Sequence, residues 1–370
     1  MMDIFLVPLS YFVFLIALIR AIIALVNMLS IRALPAGILR SHPFISILIP
    51  ARNEEQNIGM VLSDCLQLDY KEFELIVYDD DSTDNTASIV EQFAKKDSRI
   101  RLVCGKELPV GFTGKNNACN QLAGIAKGIF VVYFDADVRV GRNFLTNAIC
   151  YMQTEKLALL SIFPQQLTKS LGEKFSVPLM NWILLSLLPL ALVRQTSWSA
   201  LSAANGQCMI YDAEILHQTA PYQKFSHERV EDIAISRYYK QIGKRITTLL
   251  GDESLRCRMY RSWHEATEGF SKNVFYFFGN SKAITLAFGI LTTLAPIVVY
   301  YSSGLSPFLF YIAIEVCIRV FVSVASQQSV WNNVCWLIPQ QFTFLVIITK
   351  AIIYHYNRKL QWKERNVSSY

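Results

Sequence analysis

Two aspartates separated by one residue, Asp135-Ala136-Asp137, follow the apolar run Ile129–Phe134 (IFVVYF). Carboxylates leaving the end of a buried strand so close together repel unless a cation intervenes. A hard divalent cation, held by one or two carboxylates and completed by substrate phosphates, answers that need. A loop of solvated aspartates is the plainer alternative, because the tripeptide is common. A second acidic cluster, Asp79-Asp80-Asp81, ends a second apolar run, Phe73–Tyr78 (FELIVY), and strengthens the first reading. Strand-end aspartates beside a nucleotide can accept hydrogen bonds from ribose hydroxyls or base N–H groups. Gly111–Asn120 (GFTGKNNACN) supplies the opposite charge. Gly114 permits close backbone approach, and Lys115 at a helix start can meet a diphosphate with the helix N-terminus behind it. The spacing is not that of a P-loop, and a capped turn with a solvated lysine explains the segment equally well. Glu231-Asp232 forms a further carboxylate pair. Taken alone, it reads as helix N-terminal carboxylates favouring the dipole of a helix over Ile233–Gln241. The run Arg256, Arg258, Arg261 and Lys272 reads as a solvated face or a membrane-surface patch.

These clusters need a scaffold that gathers them. Phe44–Pro50 (FISILIP) reads as a buried strand, Ala51–Glu55 as a polar loop, and Asn57–Leu68 as a helix. Phe73–Tyr78 is a second strand, Thr86–Lys96 a helix preceded by the capping types Ser82, Thr83 and Asp84, and Ile100–Val103 a third strand. Asn116–Ala126 is a helix and Ile129–Phe134 a fourth strand. Strands alternating with helices predict an α/β fold with a mostly parallel sheet and ligands at the carboxyl ends of its strands. The polar clusters stand at those ends.

Outside that region the chain is apolar. Over 370 residues, 52% are hydrophobic and 17% charged, with a mean hydropathy of +0.30. A soluble domain carries about a quarter charged residues, so neither an ordinary soluble protein nor a disordered one fits. The net charge of +6 suits a membrane surface better than a nucleic-acid partner. Eight scattered cysteines form no CxxC pair, which is expected of reduced cytosolic thiols. Ile4–Leu29, Ile284–Tyr301, Leu305–Ala325 and Val334–Ile353 are each expected to span a bilayer. The first lacks the basic start and cleavage site of a signal peptide and reads as an uncleaved anchor. Glu315 and Arg319, four apart in the third span, suggest an intramembrane pair or a protein-facing side. Val177–Val193 is read as an interfacial helix docking the domain on the bilayer, with a buried core helix as the alternative.

The expected division is therefore an anchor over 1–40, a catalytic domain over 41–282 and membrane helices with a basic tail over 283–370. Arg32 and Arg40 place the central domain in the cytoplasm by the positive-inside rule, as a multi-pass cell-membrane protein. Lys350, Arg358, Lys359, Lys363 and Arg365 favour an inside C-terminus. One anchor and three later spans would put it outside, which calls for one apolar segment to be re-entrant or interfacial.

The ordered set resembles glycosyltransferase family 2, inverting enzymes with a nucleotide-sugar-binding GT-A fold. It comprises Ile49-Pro50-Ala51-Arg52-Asn53-Glu54-Glu55, Asp80 with Ser82-Thr83-Asp84, Gly114-Lys115 and Asp135-Ala136-Asp137. Ala204-Asn205-Gly206-Gln207, Glu231-Asp232, Arg258-Met259-Tyr260 and Glu268–Asn273 follow. The later motifs are similar to the membrane-bound bacterial branch that glycosylates lipids, including diaponeurosporenoate and hopanoid-associated glycosyltransferases. The resemblance covers about residues 44–280 and implies a UDP-sugar donor, a membrane lipid acceptor and Mg2+ or Mn2+. It implies that Pro50, Arg52, Glu54, Asp80, Lys115, Asp135 and Arg258 line the donor site. Glu54 and Asp80 would meet uracil and ribose, Asp135 the ribose and diphosphate, and Asp137, with Asp135, the metal. Asn205, Gly206 and Gln207 would lie on the acceptor side, and Asp232, beside Glu231, would be the general base. Asp81 stands where the family usually has glycine. The Gln/Arg-x-x-Arg-Trp pattern of polymerising members is interrupted by one residue in Arg258–Trp263, which disfavours processive synthesis. Transfer of a single sugar, glucose from UDP-glucose, to a lipid such as a carotenoid acid is the expected activity. Polyprenyl phosphate or a cell-envelope glycan is the alternative acceptor, and a non-catalytic membrane scaffold the alternative class.

Overall fold

The computed structural model describes residues 2–30, 33–39, 41–357, 361–362 and 365–366. The chain forms two compact units that are discontinuous in sequence, unlike the contiguous division read above. One comprises Arg32–Gln165, Leu190–Arg258 and Gln361–Tyr370; the other comprises Met1–Ile31, Gln166–Pro189 and Met259–Leu360.

The first unit is built on β1 (Ile45–Ala51), β2 (Phe73–Asp79), β3 (Ile100–Cys104), β4 (Phe130–Phe134), β5 (Val138–Val140) and β6 (Leu159–Phe163). The two-residue β7 (Gln165–Gln166) straddles the boundary with the other unit, and β8 (Cys208–Asp212), β9 (Ile246–Leu250) and β10 (Leu255–Cys257) complete the set. Seven strands form one sheet in the order β3-β2-β1-β4-β8-β6-β9. The pairs β1–β2, β1–β4, β2–β3 and β6–β9 are parallel, whereas β8 runs antiparallel to both β4 and β6. β1, β2 and β4 are almost wholly buried because helices cover both faces, which is why they read as continuous apolar runs rather than alternating ones. Their core includes Ile47, Ile49, Leu75, Val77, Val132 and Phe134.

Strand order reverses between β1 and β4. In an open α/β sheet that switch point opens a crevice at the carboxyl ends of the strands. Here it lies between the loop after Ala51 and the loop after Phe134. β5 then folds back to pair antiparallel with β10, Val138 opposite Cys257.

The second unit contains the helices Met2–Ser30, Leu171–Ser176, Pro178–Leu187, Trp263–Asn273, Lys282–Ser303, Leu305–Ala325, Val330–Cys335 and Leu337–Asn357. Among the described residues, four helices are long and apolar enough to cross a membrane: Leu6–Ser30, Lys282–Ser303, Leu305–Ala325 and Leu337–Tyr356. Tyr11, Leu15, Ile22, Ile297, Leu309, Phe310 and Ile338 are exposed on them, a pattern that suits lipid rather than water.

Two expectations are corrected in this unit. Val177–Val193 is not one interfacial helix. It breaks after Leu187, and Pro178–Leu187 buries Leu179, Trp182, Ile183, Leu184 and Leu185, so no broad apolar face is left for a bilayer. The carboxylate of Glu315 pairs with Arg20 at 2.9 Å rather than with Arg319. The topology argument rested partly on Arg32, Arg40, Arg358, Lys359 and Lys363, which lie outside the described residues. All eight cysteines are free thiols.

Candidate active site

Two strand-end loops are laced into one polar wall. After β1, Arg52 donates through Nη1 to the carbonyls of Asp80 and Asp81, the latter at 2.9 Å. Asn53 N–H donates to Ser82 Oγ at 2.9 Å, and Glu54 N–H to Thr86 Oγ1 at 2.8 Å. Thr83 N–H returns a bond to Asn53 Oδ1 at 2.9 Å. Ser82, Thr83 and Thr86 thus tie the β1 loop to the β2 loop, whereas the helix that follows has Asn85 at its N-cap, with no side-chain cap bond, instead of one of the expected Ser82, Thr83 or Asp84.

Asp79 turns its carboxylate back to Ser82 N–H, and Asp81 points outward with 76% of its side chain exposed. Asp80 is buried. Asp81 has φ +58°, in the left-handed region that favours glycine. The loop therefore keeps a glycine-like backbone without glycine, and aspartate is among the few residues that adopt it readily. Pro50 sits in β1 opposite Tyr78.

A second cluster gathers around Lys115, the second residue of a helix that begins at Gly114 and is capped by Thr113. Its ammonium lies 3.0 Å from Asp135 Oδ1 and 3.3 Å from Glu231 Oε1. Burial disfavours that charge, but Asp135 and then Glu231 outweigh it and hold the ammonium well above the ordinary lysine range. Asp232 lies at the start of Glu231–Gln241. Its Oδ2 accepts Gly206 N–H at 2.8 Å and its Oδ1 accepts Ile233 N–H at 2.7 Å. Burial, then the neighbouring Glu231, push the Asp232 carboxyl up to about 7, against the pull of Lys115 and these bonds. The carboxyl is thus poised near neutrality, as a general base requires.

Asn205-Gly206-Gln207 connects the two carboxylate groups. Gln207 carbonyl accepts Asp135 N–H at 3.1 Å. Gln207 Nε2 donates to Asp137 Oδ2 at 3.2 Å and to Cys257 Sγ at 2.9 Å. Asn205 Oδ1 braces Gln207 N–H at 2.8 Å, and Ser161 Oγ accepts Asn205 N–H at 2.8 Å. One short segment thereby fixes Asp137 on one side and Asp232 on the other. Cys257 and Ser161 were not singled out in the sequence. Cys257 stands immediately before Arg258, but nothing local shows that its thiol bonds the carboxylate of Asp137.

Burial, then Asp135 and Glu54, push the Asp137 carboxyl up to about 7. The repulsion among these carboxylates and their all-oxygen chemistry fit a hard divalent cation. Among the described residues, no group of three or more His, Cys, Asp or Glu that could hold a metal ion is present.

Residues 46–218 match the family model for glycosyl transferase family 2. The chain carries a family 2 glycosyltransferase domain. It is 27% identical over 254 residues to the 4,4'-diaponeurosporenoate glycosyltransferase of Staphylococcus aureus, covering 67% of this chain and 65% of that protein. It is 32% identical over 124 residues to the beta-monoglucosyldiacylglycerol synthase of Nostoc sp., covering 33% of this chain and 26% of that protein. The chain thus spans about a quarter of the second relative and just under two thirds of the first. The mannosyltransferase PcManGT of Pyrobaculum calidifontis, solved in complex with GDP-Man and Mn2+, superposes with a TM-score of 0.60 at 18% identity. That superposition covers 95% of this chain and 99% of that one. The family 2 domain has the GT-A fold, with its mostly parallel α/β sheet.

Proposed function

We propose that the protein is an inverting, metal-dependent glycosyltransferase that moves one sugar from a UDP-sugar, expected to be UDP-glucose, to a membrane lipid at the cytoplasmic face of the cell membrane. The observation that carries this reading is the double contact of Lys115. It joins Asp135, on the switch-point side of the sheet, to the Glu231-Asp232 pair. Donor-binding and proton-accepting groups therefore converge in one network. The apolar helices and the names of the two relatives, one acting on a carotenoid acid and one making a glucolipid, support a lipid acceptor.

In this reading Pro50, Arg52, Glu54 and Asp80 form the wall that receives the nucleoside, while Lys115 and Arg258 offer positive charge to the diphosphate. Asp137 and Asp135 would hold Mg2+ or Mn2+. That ion supplies charge neutralisation for the departing diphosphate. Asp232, fixed at both oxygens by Gly206 and Ile233 N–H, orients the acceptor hydroxyl and takes its proton. Attack opposite the leaving group turns an α-linked donor into a β-glycoside. A carboxylate acceptor arrives already ionised, and Asp232 then serves to orient it.

The test is release of UDP by the purified chain from UDP-glucose and Mn2+, with and without vesicles carrying extracted membrane lipids. Release that depends on both the lipid and Asp232 supports the reading. Release that requires polyprenyl phosphate, or no release while UDP still binds, would favour the alternative acceptor or a scaffold.

A further inference from the structure

The unit that carries the apolar helices buries two arginines that the transferase site does not use. Arg20 and Arg319 are each 2% exposed. Both guanidiniums gather at one indole: Arg20 Cζ lies 4.8 Å from the Trp182 ring centre and Arg319 Cζ 4.4 Å from it. Arg20 Nη1 donates to Glu315 Oε1 at 2.9 Å, and Tyr311 OH donates to the same oxygen at 3.2 Å. Arg319 Nη1 donates only to a neutral acceptor, Gln340 Oε1, at 2.8 Å. Gln340 is itself oriented by Lys174 carbonyl and Asn333 Oδ1. Two guanidiniums thus share one carboxylate, leaving one positive charge in excess.

The hydrogen-bond tally points the same way. Among the described residues, Arg20 Nη2, Arg319 Nε and Trp182 Nε1 are buried and have no hydrogen-bond partner. Arg20 Nε reaches only Ser186 Oγ, at 3.4 Å. All three groups are donors: one is the indole N–H itself, and the other two belong to the guanidiniums that lie against that ring. Burying uncompensated charge and unpaired donors among apolar helices is unfavourable, and intramembrane arginines commonly mark a functional site. What would complete the cluster must accept hydrogen bonds and carry one negative charge.

We propose that the Arg20–Trp182–Arg319 cluster binds the singly charged oxyanion of a membrane amphiphile, a carboxylate or a phosphodiester. Guanidinium groups suit such oxyanions by geometry as well as charge. An amphiphile is preferred to a soluble anion because the same helices expose Leu18, Ile22, Ile290, Ile297 and Leu309, along which an attached hydrocarbon chain can lie. A purely structural ion pair between Arg20 and Glu315 would need no second arginine. The inference does not rest on the transferase reading.

The full chain in neutral detergent would be titrated with phosphatidylglycerol or with diacylglycerol, which has no oxyanion, bearing identical brominated acyl chains, following tryptophan fluorescence. Phosphatidylglycerol should quench at a concentration about tenfold lower, as expected for one charged hydrogen-bonding group. Trp182→Phe should remove that saturable component, which isolates it among six tryptophans. Arg319→Gln should abolish the preference while leaving the Arg20–Glu315 pair balanced and Tm unchanged or raised, and Arg319→Lys should retain it. Equal quenching by the two lipids in the wild-type chain overturns the proposal, as does a preference that survives Arg319→Gln. Displacement of the brominated phosphatidylglycerol by equimolar acetate or inorganic phosphate also overturns it, because it marks a soluble-anion site.

Discussion

Gly206 is the position where an added methyl group should separate activity from stability. A Cβ there would lie 2.8 Å from Lys115 Nζ, 3.3 Å from Glu231 Oε1 and 3.7 Å from Asp232 Oδ2. Non-bonded contact is comfortable near about 3.5 Å, so the ammonium must retreat by about 0.7 Å. The lysine holds Asp135 at 3.0 Å and Glu231 at 3.3 Å, and a shift of that size carries at least one contact out of hydrogen-bonding range. A hydrogen bond to a charged group contributes about 1.5–3 kcal/mol. Lys115 and Asp135 keep 26% and 28% of their side chains exposed, so solvent screening brings the expected loss toward about 1–2 kcal/mol. In kcat/KM that is about 5- to 30-fold. The moving group is the tip of a flexible side chain, and Gly206 does not have the positive φ that would strain alanine, so the fold should tolerate the change. Gly206→Ala should therefore lower Tm by no more than about 3 °C, which is what a loss of about 1–2 kcal/mol produces in a chain of this length, while transfer slows. In a Lys115→Met background the same substitution should cost little, because its target is gone. Wild-type activity in Gly206→Ala, or an equal loss with and without Lys115, would refute the reasoning.

Four further outcomes follow from the site. Burial and Glu231 favour protonated Asp232, yet a base works only deprotonated, so kcat/KM should fall about tenfold per pH unit below about 7 and flatten above it; Asp232→Asn should abolish that limb along with transfer. Asp137 must lose its proton to take a metal, so Mn2+ affinity, read by titration calorimetry, should weaken below pH about 7. Gln207→Leu, which deletes the bond to Asp137, should lower that affinity about 10- to 100-fold. Asp81→Gly removes a residue at φ +58° and a 3.6 Å ion pair whose carboxylate is exposed, so denaturant stability should change by no more than about 0.5 kcal/mol. A large rise in donor KM would instead show that the Asp81 side chain itself meets the nucleotide.

What the sequence made legible was set by local patterning. β1, β2 and β4 were readable because buried parallel strands are unbroken apolar runs, and the acidic clusters at their ends then had only one side of the sheet to occupy. Leu305–Ala325 was bounded correctly for a similar reason, since length and apolarity alone define such a helix. The antiparallel insertion of β8 was not readable, because its partners β4 and β6 are chosen by long-range pairing. Apolar content could not tell lipid from protein as the surroundings of Pro178–Leu187, which is buried. The partner of Glu315 was missed because Arg20 stands 295 residues away, while Arg319 offered the nearer, i+4 choice. The bracing roles of Gln207, Cys257 and Ser161 were invisible for the same reason: each acts on a carboxylate or backbone group distant in sequence.

The central claim, transfer of a single sugar to a membrane lipid, is most directly tested by mass spectrometry of total lipids. Cells expressing the wild-type chain would be compared with cells expressing Asp232→Asn at matched protein levels. The account predicts one lipid class heavier by one hexose, present with the wild type and absent with the variant. Identical lipid profiles in a host that makes carotenoid acids and diacylglycerol, or a ladder of several hexoses on one lipid, would contradict it.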